Sequence, residues 1–358
     1  MVLGLAADRL HREITEQLPP THPERMAWLS VDRLSSQFIP SWPSPELDCT
    51  PEFREMLTTY LGLPSPVLRE PAARGMRIPC SRVARVCDAY GVQLELACLP
   101  GDTFRTQHDV INDTMLRDVL SSGLRGAHTP RTMFAHVVPQ SVDASRMSMG
   151  IIPDARVYVA MDGRPIREYL FDVKMAHRSA DLYSAARLQS RRGLAVEERA
   201  RRVAVDYVAH ARRLDARHHG LPAPRAQTHA GLVGPVLRAL RAFPSVRGLV
   251  WGAYSEASAD VHALLSETAT SISEREWGMM GTRSRSEARG MIVSILRRRW
   301  GVTAAREAAR LRISRFPLVG AQRAGAAQML ADGRVFRESP AYMAGVAPRG
   351  GALGAAAF

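Results

Sequence analysis

The sequence predicts an α/β (α+β) protein, and three observations predict it. Residues 152–174, IPDARVYVAMDGRPIREYLFDVK, set two apolar, β-branched runs on either side of an Asp162-Gly163 pair, the short-range signal of a β-hairpin. Residues 246–251 read as a further short, buried strand. Between and around these lie longer segments with helical period and helix-start signals.

Taken in order, residues 6–17 are expected to form a short helix stopped by Leu18-Pro19-Pro20. Residues 50–61 open with Thr50 as cap, Pro51 at the first helical position and Glu52 in the first turn. Residues 65–79, rich in Pro, Arg and Gly, read as a connector, and 81–97 as a further element before the turn Leu99-Pro100-Gly101-Asp102. In 106–120 the helical wheel puts Ile111, Met115, Leu116, Val119 and Leu120 on a core-facing arc, with His108, Asp109 and Asn112 inside it. Polar groups aimed inward need partners or a job.

Beyond the hairpin, helices are expected over 181–189 and 196–217, the second strongly basic with Tyr207 on its apolar side. Further helices are expected over 234–243, over 255–267 capped by Ser255 or Ser258, over 284–300, and over 303–313 after Gly301. From Gly320 the composition is dominated by Ala, Gly, Arg and Met, and this tail is expected to be disordered. The division that follows is an N-terminal mainly helical region with a connector (1–98), a core (99–219), a basic helical subdomain (220–319) and the tail (320–358).

Among 358 residues there are 48 basic and 35 acidic ones, a net charge of +13. Such a charge favours an anionic partner, nucleic acid first. Arg201 and Arg202, and the run Arg297-Arg298-Arg299-Trp300, are the candidate nucleic-acid contacts, the last for its aromatic beside guanidinium groups. No apolar run approaches bilayer length, so no membrane partner is expected. The N-terminus lacks the basic region of a secretory signal, and a reducing compartment, nuclear or cytoplasmic, is the default. Cys49, Cys80, Cys87 and Cys98 do not match the tight pairs of structural zinc sites.

The chemistry concentrates in the hairpin. A turn centred near Gly163 sets Asp154 opposite Asp172, and strand alternation puts Asp172 and Lys174 on one face with Phe171 and Val173 on the other. Paired carboxylates hold a hard divalent cation such as Mg²⁺ with positions left for water and phosphate. An adjacent ammonium can orient a water or neutralise phosphate charge. Lys174 is also the only lysine, against 47 arginines. A compact ammonium and a planar guanidinium are not interchangeable, so the exception marks a position that requires lysine.

A helix with an acidic residue, then Pro153-Asp154 on one strand and Asp172-Val173-Lys174 on the next, then a helix, resembles the PD-(D/E)xK nuclease superfamily. The resemblance implies a restriction-endonuclease-like fold, a mixed central sheet flanked by helices, and metal-dependent hydrolysis of DNA phosphodiesters. It implies Mg²⁺, or Mn²⁺ in its place, held by Asp154, Asp172, Asp109 and the Val173 carbonyl. Lys174 would position the attacking water or stabilise the transition state, and Asp109 with His108 would complete the metal shell or orient the water. The superfamily often has Glu upstream, and Asp113 is the alternative to Asp109.

A wider likeness covers residues 25–320 and includes Tyr60-Leu61-Gly62-Leu63-Pro64, Gln107-His108-Asp109, Gly248-Leu249-Val250-Trp251-Gly252 and Leu296-Arg297-Arg298-Arg299-Trp300-Gly301. It is to the nuclease-like region accompanying reverse-transcriptase-like open reading frames in algal and dinoflagellate genomes. This implies a mobile-element endonuclease acting on DNA, with RNA or an RNA–DNA hybrid as alternative substrates and a reverse transcriptase on a separate chain as partner. The competing expectation is a catalytically inactive nucleic-acid-binding module with the same fold.

Overall fold

The computed structural model describes residues 22–40, 50–80, 83–99, 103–138, 151–159, 167–178, 193–221 and 233–321, with isolated positions besides. Proline in the first turn, where its missing N–H costs nothing, starts helix α1 (Pro23–Ser30). Helix α2 (Thr50–Leu61) has the expected bounds and Glu52 in its first turn, with Thr50 as its first helical residue and not its cap. The expected connector contains α3 (Arg69–Ala73) and β1 (Arg77–Ile78). Strand β1 pairs with β2 (Arg85–Val86), and α4 (Val92–Leu96) follows. Helix α5 (Thr103–Ser121) then leads into β3 (Arg125–His128).

Strands β4 (Ala155–Val159) and β5 (Arg167–Ala176) pair antiparallel from Ala155↔Phe171 to Val159↔Arg167, the register expected of a turn near Gly163. That turn lies outside the described residues. Helices α6 (Leu194–His218) and α7 (Pro235–Arg241) carry the chain to β6 (Val246–Gly252), which runs parallel to β5. The sheet is therefore mixed, in the order β3-β4-β5-β6. Helices α8 (Ala259–Glu276) and α9 (Arg285–Arg315) close the fold.

Alternation along the strands divides two cores. Val157, Val159, Phe171, Val173 and Leu249 point to one face, under α5, α8 and α9. Leu170 and Val246 point to the other, under α6 and α7, with Val203, Tyr207 and Leu237. The result is a sheet between two helical layers. Where β5 ends, Arg178 is buried against Glu95, donating to Oε1 at 2.6 Å and to the Tyr90 carbonyl at 2.6 Å. Arg312 of α9 approaches the same carboxylate at 3.3 Å. Burial penalises all three charges, and their mutual pairing is what makes it tolerable.

Several expectations change. Helix α9 runs through Gly301 without a break. A Cβ there would lie 2.3 Å from the Leu34 carbonyl oxygen, so this glycine serves close approach between segments and not helix termination. The boundary expected at 220 falls inside one sheet, because β6 pairs with β5. Strand β3, too short and too polar to show a period, was not expected, and Leu120 of α5 is exposed where the wheel placed it inward. Ser258 is the N-cap of α8, but its hydroxyl receives the Val250 N–H and donates to the Gly248 carbonyl. The helices expected over 6–17 and 181–189, and the tail beyond 321, lie largely or wholly outside the described residues. Among the described residues no helix is long and apolar enough to cross a membrane.

Candidate functional site

Pro153 has no N–H to offer a sheet, and regular pairing of β4 stops beside it. Asp154 is pinned just before the ladder begins: its N–H donates to the Phe171 carbonyl at 2.9 Å, and its carbonyl accepts from Thr129 N–H at 3.1 Å. Strand β5 continues past this point, leaving the Val173 N–H without a backbone acceptor on that side. The Asp154 carboxylate takes it, Oδ2 accepting from Val173 N at 2.7 Å. N–H and C=O of one residue in a strand point to the same edge, so the Val173 carbonyl is directed to this open edge as well.

Asp172 is 2% exposed. Lys174, two residues on and therefore on the same face, donates from Nζ to Asp172 Oδ1 at 2.9 Å. Oδ2 lies 2.8 Å from the same nitrogen, but off the hydrogen-bonding direction. The Asp172 and Asp154 carboxyls are within hydrogen-bonding reach of each other. Burial raises the Asp172 carboxyl, Lys174 opposes this, and the charge of Asp154 adds to the rise. Asp154 goes the other way: burial would raise it too, but His108 and the Lys174 charge hold it below the usual range. Two adjoining carboxyls thus divide into one ionised and one that tends to keep a proton.

His108 comes from the first turns of α5. Its Nε2 lies 2.9 Å from Asp154 Oδ2 and its Nδ1 2.9 Å from Asp109 Oδ1. Both ring nitrogens face carboxylates, which requires both to donate, so the ring is an imidazolium. Burial alone would lower its pKa, but Asp154 and then Asp109 more than offset this and raise it to about 9. Asp109 itself is half exposed and within 3.6 Å of Arg105. The structure therefore brings His108 against Asp154 and leaves Asp109 behind the imidazole. Asp113 is paired elsewhere, with His128 at 3.4 Å.

No protein-family model, curated protein or solved structure matches the chain.

Among the described residues, no group of three or more His, Cys, Asp or Glu side chains is disposed to hold a metal ion. The set that converges is two carboxyls and a backbone carbonyl. It fits a hard cation that keeps several waters, as Mg²⁺ does. The paired carboxyls, with Asp172 Oδ2 buried and given no well-directed donor, are the observation on which this fit rests.

The expected nucleic-acid contacts divide. Arg201 and Arg202 are exposed on α6, Arg202 pairing with Glu198 at 2.7 Å, and Arg298 is exposed on α9. Trp300 is a correction: it is 1% exposed, and its indole N–H donates to Asp118 Oδ2 at 2.8 Å. It has no face to offer a base. Arg299 reaches the other oxygen of Asp118, and the Arg297 Nε is buried.

Two residues of the site were missed as such. Tyr207, placed only on an apolar helix face, donates its hydroxyl to the Ile152 carbonyl at 3.1 Å, with the Asp172 carboxyl close enough to add to the rise that burial gives its pKa. Gly248 lies beside Asp172 in the β5–β6 ladder. A glycine inside a strand signals close backbone approach and could have been read as one.

Proposed function

We propose that the chain is a Mg²⁺-dependent endonuclease that hydrolyses DNA phosphodiester bonds, with a restriction-endonuclease-like core of the PD-(D/E)xK type. The observation that carries this reading is the convergence of Asp154, Asp172 and Lys174 at the open edge of β5. Asp154, Asp172 and the Val173 carbonyl would hold Mg²⁺, with Mn²⁺ able to replace it. When bound, the cation supplies positive charge to the scissile phosphate and lowers the pKa of a water.

The chain's own groups do the rest. Lys174, 36% exposed, has its stem held against Asp172 and its ammonium open to a phosphate oxygen or the attacking water. His108 orients Asp154 and, as an imidazolium, adds a positive charge beside the phosphate path. The net charge of +13, with exposed arginines on α6 and α9, favours a polyanionic substrate. The test is plasmid nicking with Mg²⁺ by the wild-type chain, Asp172→Ala and Lys174→Ala. Activity in the wild type alone is expected, and equal nicking by all three overturns the reading.

One observation favours a non-catalytic nucleic-acid-binding module instead: Asp154 Oδ2 already receives both His108 and Val173 N–H. That reading predicts salt-sensitive binding, unchanged by Asp172→Ala, with no cleavage.

A further inference from the structure

Ala200, Val203 and Tyr207 follow one another at helical spacing on α6 and share a buried face. Opposite them, Gly248 sits beside Asp172 in the ladder. A Cβ at Gly248 would come within 2.8 Å of Val203 Cγ2, 2.9 Å of Ala200 Cα and 3.1 Å of the Ala200 carbonyl oxygen. Two of those three atoms are helix backbone, which cannot turn aside as a side chain can. Only a strand residue without a side chain lets α6 come this close to the sheet.

The depth of α6 fixes where Tyr207 arrives. Its ring is buried among Leu170, Leu214 and Val246, so the phenol cannot swing freely. Its hydroxyl donates to the Ile152 carbonyl at 3.1 Å, two residues before Asp154, and lies within hydrogen-bonding reach of the Asp172 carboxyl. One phenol oxygen therefore stands between the segment that leads into β4 and the Asp172 side chain of β5.

We propose that Tyr207 is a positioning residue of this site: seated by the absence of a side chain at Gly248, its hydroxyl fixes the Ile152-Pro153-Asp154 segment relative to Asp172, so that the two carboxyls converge. The purpose assigned to that convergence rests on the nuclease reading; the placement of the aspartates by Tyr207 does not. Lys174, on the same face of β5, holds Asp172, and His108, from α5, holds Asp154; Tyr207 is the group that reaches in from α6. A phenylalanine at 207 keeps the ring and its packing and removes only the oxygen.

The experiment compares the full-length wild type with Tyr207→Phe. The Val173 amide reports on Asp154 directly, because its N–H is held by Asp154 Oδ2. Its hydrogen exchange, followed by NMR, is expected to accelerate about tenfold in Tyr207→Phe. The Val250 amide, held by Ser258 Oγ on the neighbouring strand, is expected to be unchanged. Calorimetric titration with Mn²⁺ is expected to show affinity reduced about tenfold, and nicking is expected to lose turnover by a similar factor with KM for DNA within about twofold. Unchanged Val173 exchange and unchanged Mn²⁺ affinity overturn the proposal. Equal acceleration at Val173 and Val250 overturns it too, since that reports general loosening. If the wild-type chain neither binds Mn²⁺ nor nicks DNA, the nuclease reading falls, and the comparison of the two amides alone decides whether Tyr207 places Asp154.

Discussion

Lys174 Nζ lies 2.9 Å from Asp172 Oδ1, and this contact joins the only ammonium side chain of the chain to a carboxylate that is almost wholly buried. An arginine at 174 would carry the same charge, but on a wider, planar group with fixed donor directions.

Lys174→Arg is therefore expected to behave like Lys174→Ala and not like a conservative change. Single-turnover nicking at saturating DNA should fall about 100-fold in both. A Lys174→Arg rate within about threefold of wild type would remove the argument from lysine chemistry.

Glu256 gives a pH-dependent prediction away from the site. It is fully buried beneath Gly252, accepting from Tyr254 N–H at 2.9 Å and receiving the Tyr183 hydroxyl at 2.6 Å. Burial raises its pKa to about 7, against the hydrogen bonds that favour its charge. A carboxyl raised in the folded state binds its proton more tightly there than when unfolded. Its stabilising contribution is present below the unfolded value of 4.5 and is lost as pH rises through about 7. Glu256→Gln keeps an oxygen for Tyr254 and has no charge to bury. It should be more stable than wild type by about 2–3 kcal/mol at pH 8 and nearly equal to it at pH 4.5, in paired denaturant melts. A pH-independent difference would refute the assignment.

Gly301 should not tolerate even a methyl group. Its absent Cβ faces the Leu34 backbone at 2.3 Å, so Gly301→Ala must displace one segment from the other despite alanine's better helix propensity. A loss of about 1–3 kcal/mol is expected by denaturant unfolding. A gain in stability would mean that Gly301 is only a poor helix residue after all.

Trp300 and Arg298 are neighbours in the same basic run and should separate cleanly. Trp300→Phe takes the indole donor from the buried Asp118 carboxylate and should cost about 1–3 kcal/mol of stability, with the salt dependence of DNA binding unchanged. Arg298→Glu should alter stability by less than about 0.5 kcal/mol and flatten the salt dependence. The reverse pattern in melts and salt titrations would restore Trp300 as a base contact.

What was legible in the sequence follows from the range of each interaction. Hairpin register and the pairing of Asp172 with Lys174 depend on spacings of a few residues, and the alternation of β5 carries them directly. The helix wheel turned His108 toward the sheet but misjudged Asp109, whose half-exposed carboxylate is taken by His108 and lies beside Arg105 one turn back on the same helix. Tyr207 and Gly248 depend on which helix lies over which strand, and the Trp300–Asp118 contact on which two helices pack together. No local period encodes that, and an Arg-Arg-Arg-Trp run looks the same on a solvated face as on one whose tryptophan is interior.

The parallel pairing of β6 with β5 has a consequence for inheritance. Gly248 enters the sheet beside Asp172 from beyond α6 and α7, so the aspartates are braced by sequence on both sides of that excursion. A segment cut at residue 219 would carry Asp154, Asp172, Lys174 and Tyr207 yet lack the strand against which Tyr207 is seated. The site is consequently no portable cassette. Exchange between related genes would preserve it only when both halves travel together, and a crossover between residues 219 and 246 would separate the acids from their support.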